Sequence, residues 1–514
     1  MAKICVPVCV RQLDELPRAL NAAAKVADIV EVRADCLALA DAASVVEKVR
    51  NLPRPLILTL RSSEQGGQSQ NDLEARRRFW TSLHDLPADA LIDLELDLVE
   101  EFSQGESAGR LPIDWAKVIC SHHDFDRTPD NLREIFDRMA GTPAGTIKIA
   151  VQAADATDCL AVFDLLHHAQ RDGRKLIAIA MGQAGLMTRI LGPSRASLLT
   201  YGSIDDESGT APGQLTAAEL RDVYRIDLID RATQVFGIIG NPVSQSLSPH
   251  IHNAAFAANE LNAVYLPFEV GEAIDFIRRM VHPQTRELDW DLNGLSVTAP
   301  HKSIVMQALD WIDPVCREIG ACNTIVVRDD QLHGYNTDAA GFIAPLRAAL
   351  GSVRDVRCAV FGSGGAARAC VWALKQEGAH VTVFARDKSN TEFLAETFGA
   401  QAGSFPPATF KGFDVVINTT PLGTRGACEH ESIASAEQLQ GVRLAYDLVY
   451  NPPGTKFLRE AAVAGCQLLG GIEMLLAQAV EQFKFWTGQQ PDLQVMRAAA
   501  FARLPSQITE RPSS

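Results

Sequence analysis

The chain has 514 residues, 47% of them apolar and 22% charged, and a formal net charge of −15. That length exceeds what one hydrophobic core supports, so two or three domains are expected, and no run approaches the ~18 apolar residues of a membrane helix. Interspersed charge with an acidic excess argues against nucleic acid or an anionic membrane as partner.

The opening MAKICVPV runs directly into a strand-like segment. It has neither the basic and apolar regions of a signal peptide nor the Arg/Ser-rich character of a transit peptide, so a cytoplasmic protein is expected. The 11 cysteines are scattered, with Cys5 and Cys9 the closest pair. Without a CxxC, no metal site and no disulfide framework are expected, and the thiols are read as reduced.

Residues 1–228 repeat one pattern, with strands at 3–10, 29–34, 56–61, 90–96, 117–122, 145–150, 176–181 and 198–203, separated by helical stretches such as 72–84. Eight such units predict an α/β fold, a (β/α)8 TIM barrel. In GTIKIA, strand alternation sends Ile147 and Ile149 outward and Lys148 into the barrel. A lysine there is either satisfied by a carboxylate or kept as a reactive amine. Glu31 and Arg33 share a strand face, and Arg61, His123 and Arg189 fall at strand ends, where barrels place their chemistry. One lysine, three arginines and a histidine predict an anionic carbonyl substrate and an imine. His122 alternates away from the face of His123 and is read as structural.

A second pattern spans 234–340, opening with VFGIIGNPVSQSLSPHIHNAAF, a strand, a polar loop and a helix. A third spans 341–473, with strands at 356–361, 380–384, 414–418, 443–448 and 466–469, and reads as a nucleotide-binding Rossmann lobe. Helices in 474–503 are expected to return to the second region, and the polar tail after Leu504 to be disordered. The turn GSGGAA carries Gly362, Gly364, Gly365 and Ala366 between a strand and a helix, where glycines let a pyrophosphate approach the helix N-terminus. Arg386 ends the next strand, where an NAD enzyme would carry an acid, and so favours the 2′-phosphate of NADP(H); the adjacent Asp387 is the competing candidate. Asn418 and Thr419, ending strand 414–418, are further candidate cofactor contacts.

Two resemblances organise these residues. EVR at 31–33, LTLRSSEQGGQ at 58–68, SHHDF at 121–125, IKIA at 147–150, MGQAGLMTR at 181–189 and TAPGQ at 210–214 resemble the type I 3-dehydroquinate dehydratases. The resemblance implies Lys148 as the Schiff-base lysine, His123 as general acid and base, and Glu31, Arg33, Arg61, Arg189, Thr210 and Gln214 as substrate-binding residues. The chain departs from that pattern at Gln65, where the family carries Glu directly before the GG, and at Thr210, where serine is more usual.

The second half is similar to the shikimate dehydrogenases. NPVSQSLSP then supplies Ser246 and Ser248 for a carboxylate, SVTAPHK supplies Thr298 and the catalytic Lys302, GACNT supplies Asn323, YNTD supplies Asp338 as the lysine's partner, and EMLLAQ supplies Gln478. Taken singly, Lys302 reads as a surface lysine and Asp338 as a helix cap. Both halves in this order resemble the fused enzyme of plants. The resemblance implies small-molecule substrates (3-dehydroquinate, 3-dehydroshikimate and shikimate) and NADP(H), and leaves the oligomeric state open. Alternatives are a quinate-using second half, a Schiff-base aldolase in the first, and a ligand-sensing regulator without catalysis.

Overall fold

A computed structural model describes residues 2–38, 44–68, 70–104, 111, 114–205 and 208–504. The tail beyond Leu504, expected to be disordered, lies outside them. The chain forms two compact units, one of 1–234 with 266–271 and 287–291, the other of the remainder.

In the first unit, strands β1 (Ile4–Val8), β2 (Ile29–Arg33), β3 (Leu56–Thr59), β4 (Leu91–Glu95), β5 (Val118–Asp124), β6 (Thr146–Gln152), β7 (Leu176–Met181) and β8 (Thr200–Tyr201) form one sheet in the order β7-β6-β5-β4-β3-β2-β1-β8. Neighbours pair in parallel, and a bridge between Leu176 and Ser197 brings the eighth segment back to the seventh. All eight predicted strands are present. The predicted helix at 72–84 is Leu73–Ser82, started by Asp72, whose carboxylate accepts from the Ala75 N–H. Inward positions are apolar at one end, where Cys5, Ile29, Ile57, Ile119 and Ile177 pack into a floor. Two residues further along β2, β3 and β5 the inward positions turn polar as Glu31, Thr59 and Ser121, and Asp93 of β4 and Lys148 of β6 join them. Period-two alternation thus raises a charged layer on an apolar plug at the C-terminal end of the strands.

One cysteine expectation is corrected. Cys9 and Cys36 form a disulfide. β1 and β2 are parallel neighbours with Val8 opposite Val32, so the residues just past both strand ends meet, their Cα atoms 5.5 Å apart.

The chain beyond the barrel strands builds two six-stranded sheets. The first runs β10-β9-β11-β13-β14-β12, from β9 (Gln234–Gly240), β10 (Ala263–Glu269), β11 (Asp291–Val297), β12 (Trp311–Ile312), β13 (Thr324–Arg328) and β14 (Gln331–Tyr335). The helix Gly471–Thr487 packs on its core through Leu476, Ala479 and Phe483. The second sheet contains β15 (Arg357–Phe361), β16 (His380–Phe384), β17 (Gln401–Ala402), β18 (Val415–Asn418), β19 (Leu444–Asp447) and β20 (Gln467–Leu469) in the order β17-β16-β15-β18-β19-β20, all parallel. This is the doubly wound nucleotide-binding order, with its reversal point between β15 and β18. No helix among the described residues is long and apolar enough to cross a membrane.

Candidate active sites

The charged layer of the barrel opens into a cavity lined by Glu31, Arg33, Arg61, His123, Lys148, Arg189, Thr210 and Gln214, all eight residues expected there. Lys148 Nζ lies 2.9 Å from Asp93 Oδ2 and 3.4 Å from Glu31 Oε1, and 4.5 Å from the centre of the Tyr201 ring. Of the two alternatives open to an inward lysine, Lys148 is thus satisfied by carboxylates, two of them, in a cavity that the three arginines also line. Asp93 also accepts from Arg61 at 2.8 Å and from the Ser121 hydroxyl at 2.5 Å. Burial alone would raise the Asp93 pKa, but Arg61 and Lys148 hold it well below the usual carboxylate range.

Arg61 is likewise occupied: besides Asp93 it meets Ser121 at 2.6 Å and Glu95 at 3.7 Å. Arg33 makes a bidentate pair with Asp35 at 2.9 and 2.8 Å. Burial disfavours its charge, yet Asp35 keeps its pKa above the ordinary arginine value. Arg189 differs. It donates to the Pro212 carbonyl at 3.3 Å, its Nε has no partner, and it forms no ion pair among the described residues. Burial lowers its pKa to about 10, which still leaves it cationic at neutral pH. Of the three arginines, it is the one with charge to spare for an anion.

His123 sits one strand from Lys148, with Ser121 opposite the lysine in register and His123 opposite Ala150. Burial, then the charges of Arg61, Lys148 and Arg33, hold its pKa well below the usual histidine value, so it is neutral at pH 7. Its backbone N–H donates to Gln65 Oε1 at 3.0 Å. Gln65 lines the cavity, while Glu64 is exposed on the same short turn. The turn needs glycine at 67, where a Cβ would stand 2.1 Å from the Arg61 carbonyl oxygen. Thr210 reaches Gln214 Oε1 through its N–H at 2.8 Å. His122 is off the cavity, as alternation requires. Sequence reasoning missed Asp93, Glu95 and Ser121, although the alternation in LIDLE puts both carboxylates on the inward face.

The second cavity, of about 210 Å³, is lined by Ser246, Ser248, Thr298, Lys302, Asn323, Asp338, Ala366 and Gln478. Lys302 Nζ donates to Asp338, the first residue of the helix Asp338–Leu350. Asn323 braces that carboxylate: its amide donates to Asp338 Oδ1 and Thr337 Oγ1, both at 2.9 Å, and its carbonyl accepts from the Thr337 N–H at 2.7 Å. Ser246 Oγ accepts from the Ser248 N–H at 3.2 Å. Gln482, buried beneath, bonds Ser296 at 2.9 Å and the Asn323 carbonyl at 3.2 Å, and was missed from sequence.

The glycine-rich turn joins β15 to the helix Gly365–Gln376. Gly362 has φ +118, and a Cβ there would lie 2.4 Å from Thr419 Oγ1. Gly364 faces open space, and the helix it starts has no side-chain cap, leaving its first N–H groups for an anion. Gly365 serves a different contact, since a Cβ there would come 3.1 Å from the Lys302 side chain. Arg386 is exposed just past β16 and forms no ion pair among the described residues. The competing Asp387 caps the next helix, accepting from the Asn390 N–H and side-chain amide at 2.9 Å each, so its carboxylate is committed to its own helix. These residues fit a dinucleotide carrying a 2′-phosphate.

Asn418 is a correction. It is 0% exposed, its amide donates to Asp447 at 2.9 Å and the Leu422 carbonyl at 3.0 Å, and its carbonyl accepts from Thr420. No polar atom is left over for a ligand, and the residue braces the loop after β18. Thr419 is partly spent as well, its hydroxyl 2.5 Å from the Phe361 carbonyl oxygen.

Comparison with known proteins matches both halves in turn. The profile of type I 3-dehydroquinase covers residues 4–231. That of the shikimate dehydrogenase substrate binding domain covers 238–325, putative NAD(P)-binding covers 350–425, and the shikimate 5′-dehydrogenase C-terminal domain covers 471–501. The bifunctional 3-dehydroquinate dehydratase/shikimate dehydrogenase of Arabidopsis thaliana, a chloroplastic protein, is 35% identical over 94% of this chain and 82% of its own. The NADP(+) shikimate dehydrogenase of Methanothermobacter thermautotrophicus is 36% identical over 53% of this chain and 97% of its own. A crystal structure of shikimate dehydrogenase in complex with NADP+ matches with a TM-score of 0.50 and 34% identity, over 54% of this chain and 98% of its own. With both halves matched in order and one relative aligned across nearly the whole length, the chain belongs to the family of bifunctional 3-dehydroquinate dehydratase/shikimate dehydrogenases.

Proposed function

We propose that the barrel converts 3-dehydroquinate to 3-dehydroshikimate and water, and that the second half reduces 3-dehydroshikimate to shikimate with NADPH. The observation that carries this reading is Lys148, held between Glu31 and Asp93 in a cavity shared with a neutral His123 and the unpaired Arg189. In the dehydration, the amine of Lys148 adds to the substrate ketone and water leaves, giving an imine that acidifies the adjacent carbon. His123 takes that proton and returns it to the departing hydroxyl; hydrolysis of the imine then frees the lysine. Arg189 binds the substrate carboxylate, and Arg33, Glu31, Thr210 and Gln214 orient the ring.

In the reduction, Ser246 and Ser248 bind the carboxylate, Thr298 and Gln478 place the ring, and Asn323 fixes Asp338. Gly362, Gly364 and Arg386 would hold the cofactor, which would supply the hydride. Lys302, held by Asp338, delivers a proton to the carbonyl oxygen. The functional boundaries that follow are 1–228 for the dehydratase, 234–340 with 474–503 for the substrate lobe, and 341–473 for the nucleotide lobe. A cytoplasmic location, with neither nucleic acid nor membrane as partner, accords with the acidic charge and with nine cysteines that are free.

The test is purified protein with 3-dehydroquinate and NADPH, followed at the nicotinamide absorbance band. Oxidation of NADPH is expected. If 3-dehydroshikimate is consumed but 3-dehydroquinate is not, the barrel reading fails; if neither is, both fail.

A further inference from the structure

Cys9 is exposed immediately after β1, and Cys36 is half-buried at the end of the short turn that follows β2. Their disulfide therefore lies at the open end of the barrel, within reach of solvent. The other cysteines offer no comparable target: eight are buried and Cys428, half-buried, is free. Disulfides that are exposed, in a chain whose remaining thiols are free, belong to the class that exchanges with external thiols and not to the class that only staples a fold.

What this disulfide holds is the turn that carries Asp35. Asp35 Oδ1 accepts from Arg33 Nε at 2.9 Å and from the Arg61 N–H at 3.3 Å. Its other oxygen accepts from the Arg33 guanidinium at 2.8 Å and from the Gln68 N–H at 3.0 Å. One carboxylate thus fixes both Arg33 and the start and end of the loop bearing Gln65, and the residue next to it is Cys36.

We propose that Cys9–Cys36 is a thiol–disulfide exchange site, taking dithiol reductants, that sets the substrate affinity of the barrel. The proposal rests on the reading of Arg33 as a substrate-binding residue. In the exchange, one thiolate of the dithiol attacks a sulfur of the pair and the S–S bond breaks, forming a mixed disulfide. Its second thiolate then displaces the cysteine. Two electrons and two protons pass to Cys9 and Cys36, and the reductant leaves as its own disulfide. Once freed, the turn no longer fixes Asp35, and Arg33 and the Gln65 loop lose their common anchor. Binding weakens while Lys148 and His123, on β6 and β5, keep their places.

The experiment uses the full chain, oxidised with glutathione disulfide or reduced with dithiothreitol and then freed of reagent. Alkylation under denaturing conditions should count nine thiols in the oxidised form and 11 in the reduced one. Reduction should raise the dehydratase KM for 3-dehydroquinate roughly 3–10-fold with kcat within about twofold, the signature of lost binding and not of lost chemistry. Reduction of 3-dehydroshikimate by the same molecules is the internal control and should not change. Cys9→Ser and Cys36→Ser should each fix the high KM and abolish the response to dithiothreitol, and their unchanged reductase activity reports that they fold. Equal KM in forms whose thiol counts differ, with substrate still trapped on Lys148 by borohydride, overturns the exchange site alone. Eleven alkylated thiols after oxidation overturn it too. Loss of trapping in both forms overturns the barrel reading and this proposal with it.

Discussion

Lys148 lies 2.9 Å from one carboxylate and 3.4 Å from another in a layer built by adjacent strands of a single barrel, while Lys302 meets one carboxylate at a cavity that also holds Ala366 of the nucleotide lobe. The barrel spreads each charge over several partners: Asp93 alone serves Lys148, Arg61 and Ser121. In the second cavity the chain of command is short, from Asn323 to Asp338 to Lys302. A dense network keeps a lysine that must leave its partners to bond a substrate in register with them; a single strong pair suits a lysine that only passes a proton and takes it back. Substitutions should therefore separate the two lysines sharply.

The largest effect is expected at Lys148. Lys148→Met removes the one amine among the described residues that line the barrel cavity and should lower dehydratase kcat by roughly 10⁴-fold or more, as losses of covalent nucleophiles do, with the reductase unchanged. Borohydride with 3-dehydroquinate should add substrate mass to the peptide holding Lys148 in the parent and none in the variant. Mass on another peptide would break the contrast at its root.

Next comes the pair in the second cavity. Lys302→Ala and Asp338→Ala should each cost the reductase roughly 10²–10⁴-fold. If they act as one unit, the double variant should be little worse than the poorer single one. Multiplied losses would mean that Asp338 has a task apart from Lys302.

Cofactor choice is a smaller effect. Arg386→Ala should raise the NADPH KM roughly 10–100-fold, the worth of a charge-assisted contact, and leave the NADH KM within about twofold. Equal use of both cofactors by the parent would remove Arg386 from the argument.

The smallest effect tests how finely the barrel is tuned. Gln65→Glu would place a carboxylate at the His123 N–H. In the parent, the depressed His123 pKa keeps the base form present below pH 6.5, so the acid limb of dehydratase kcat/KM should fall below that value. A carboxylate stabilises the protonated ring, so Gln65→Glu should move that limb to higher pH by about one unit while holding or raising kcat. Glu64→Gln, on the exposed side of the turn, should change little. If it instead abolishes dehydration with the reductase intact, Glu64 is the working carboxylate.

Legibility followed the same divide. In the barrel, alternation turns Lys148 inward and puts Glu31 and Arg33 on one face, because a strand's period of two is indifferent to what the face is for, while His123 is placed by its position at a strand end. Asp93 and Glu95 obey the same rule in LIDLE, but nothing in that short run marks their face as the one that holds the lysine. In the second half no period links Lys302 to Asp338, 36 residues apart and both at element ends, so only the motifs could join them. The disulfide was illegible for a related reason: Cys9 and Cys36 are 27 residues apart, and only the adjacency of β1 and β2 brings them together. Asn418 misled because an amide at a strand end looks the same in sequence whether it meets a ligand or an inner carboxylate.

That buried amide has a thermodynamic consequence. With Asn418 tied to Asp447, Leu422 and Thr420, and Thr419 tied to β15, the loop beside the glycine turn is rigid once the lobe has folded. Its conformational entropy is surrendered in folding and not on association, so a nucleotide arriving there meets a preorganised wall, and its affinity need not be spent on ordering the chain.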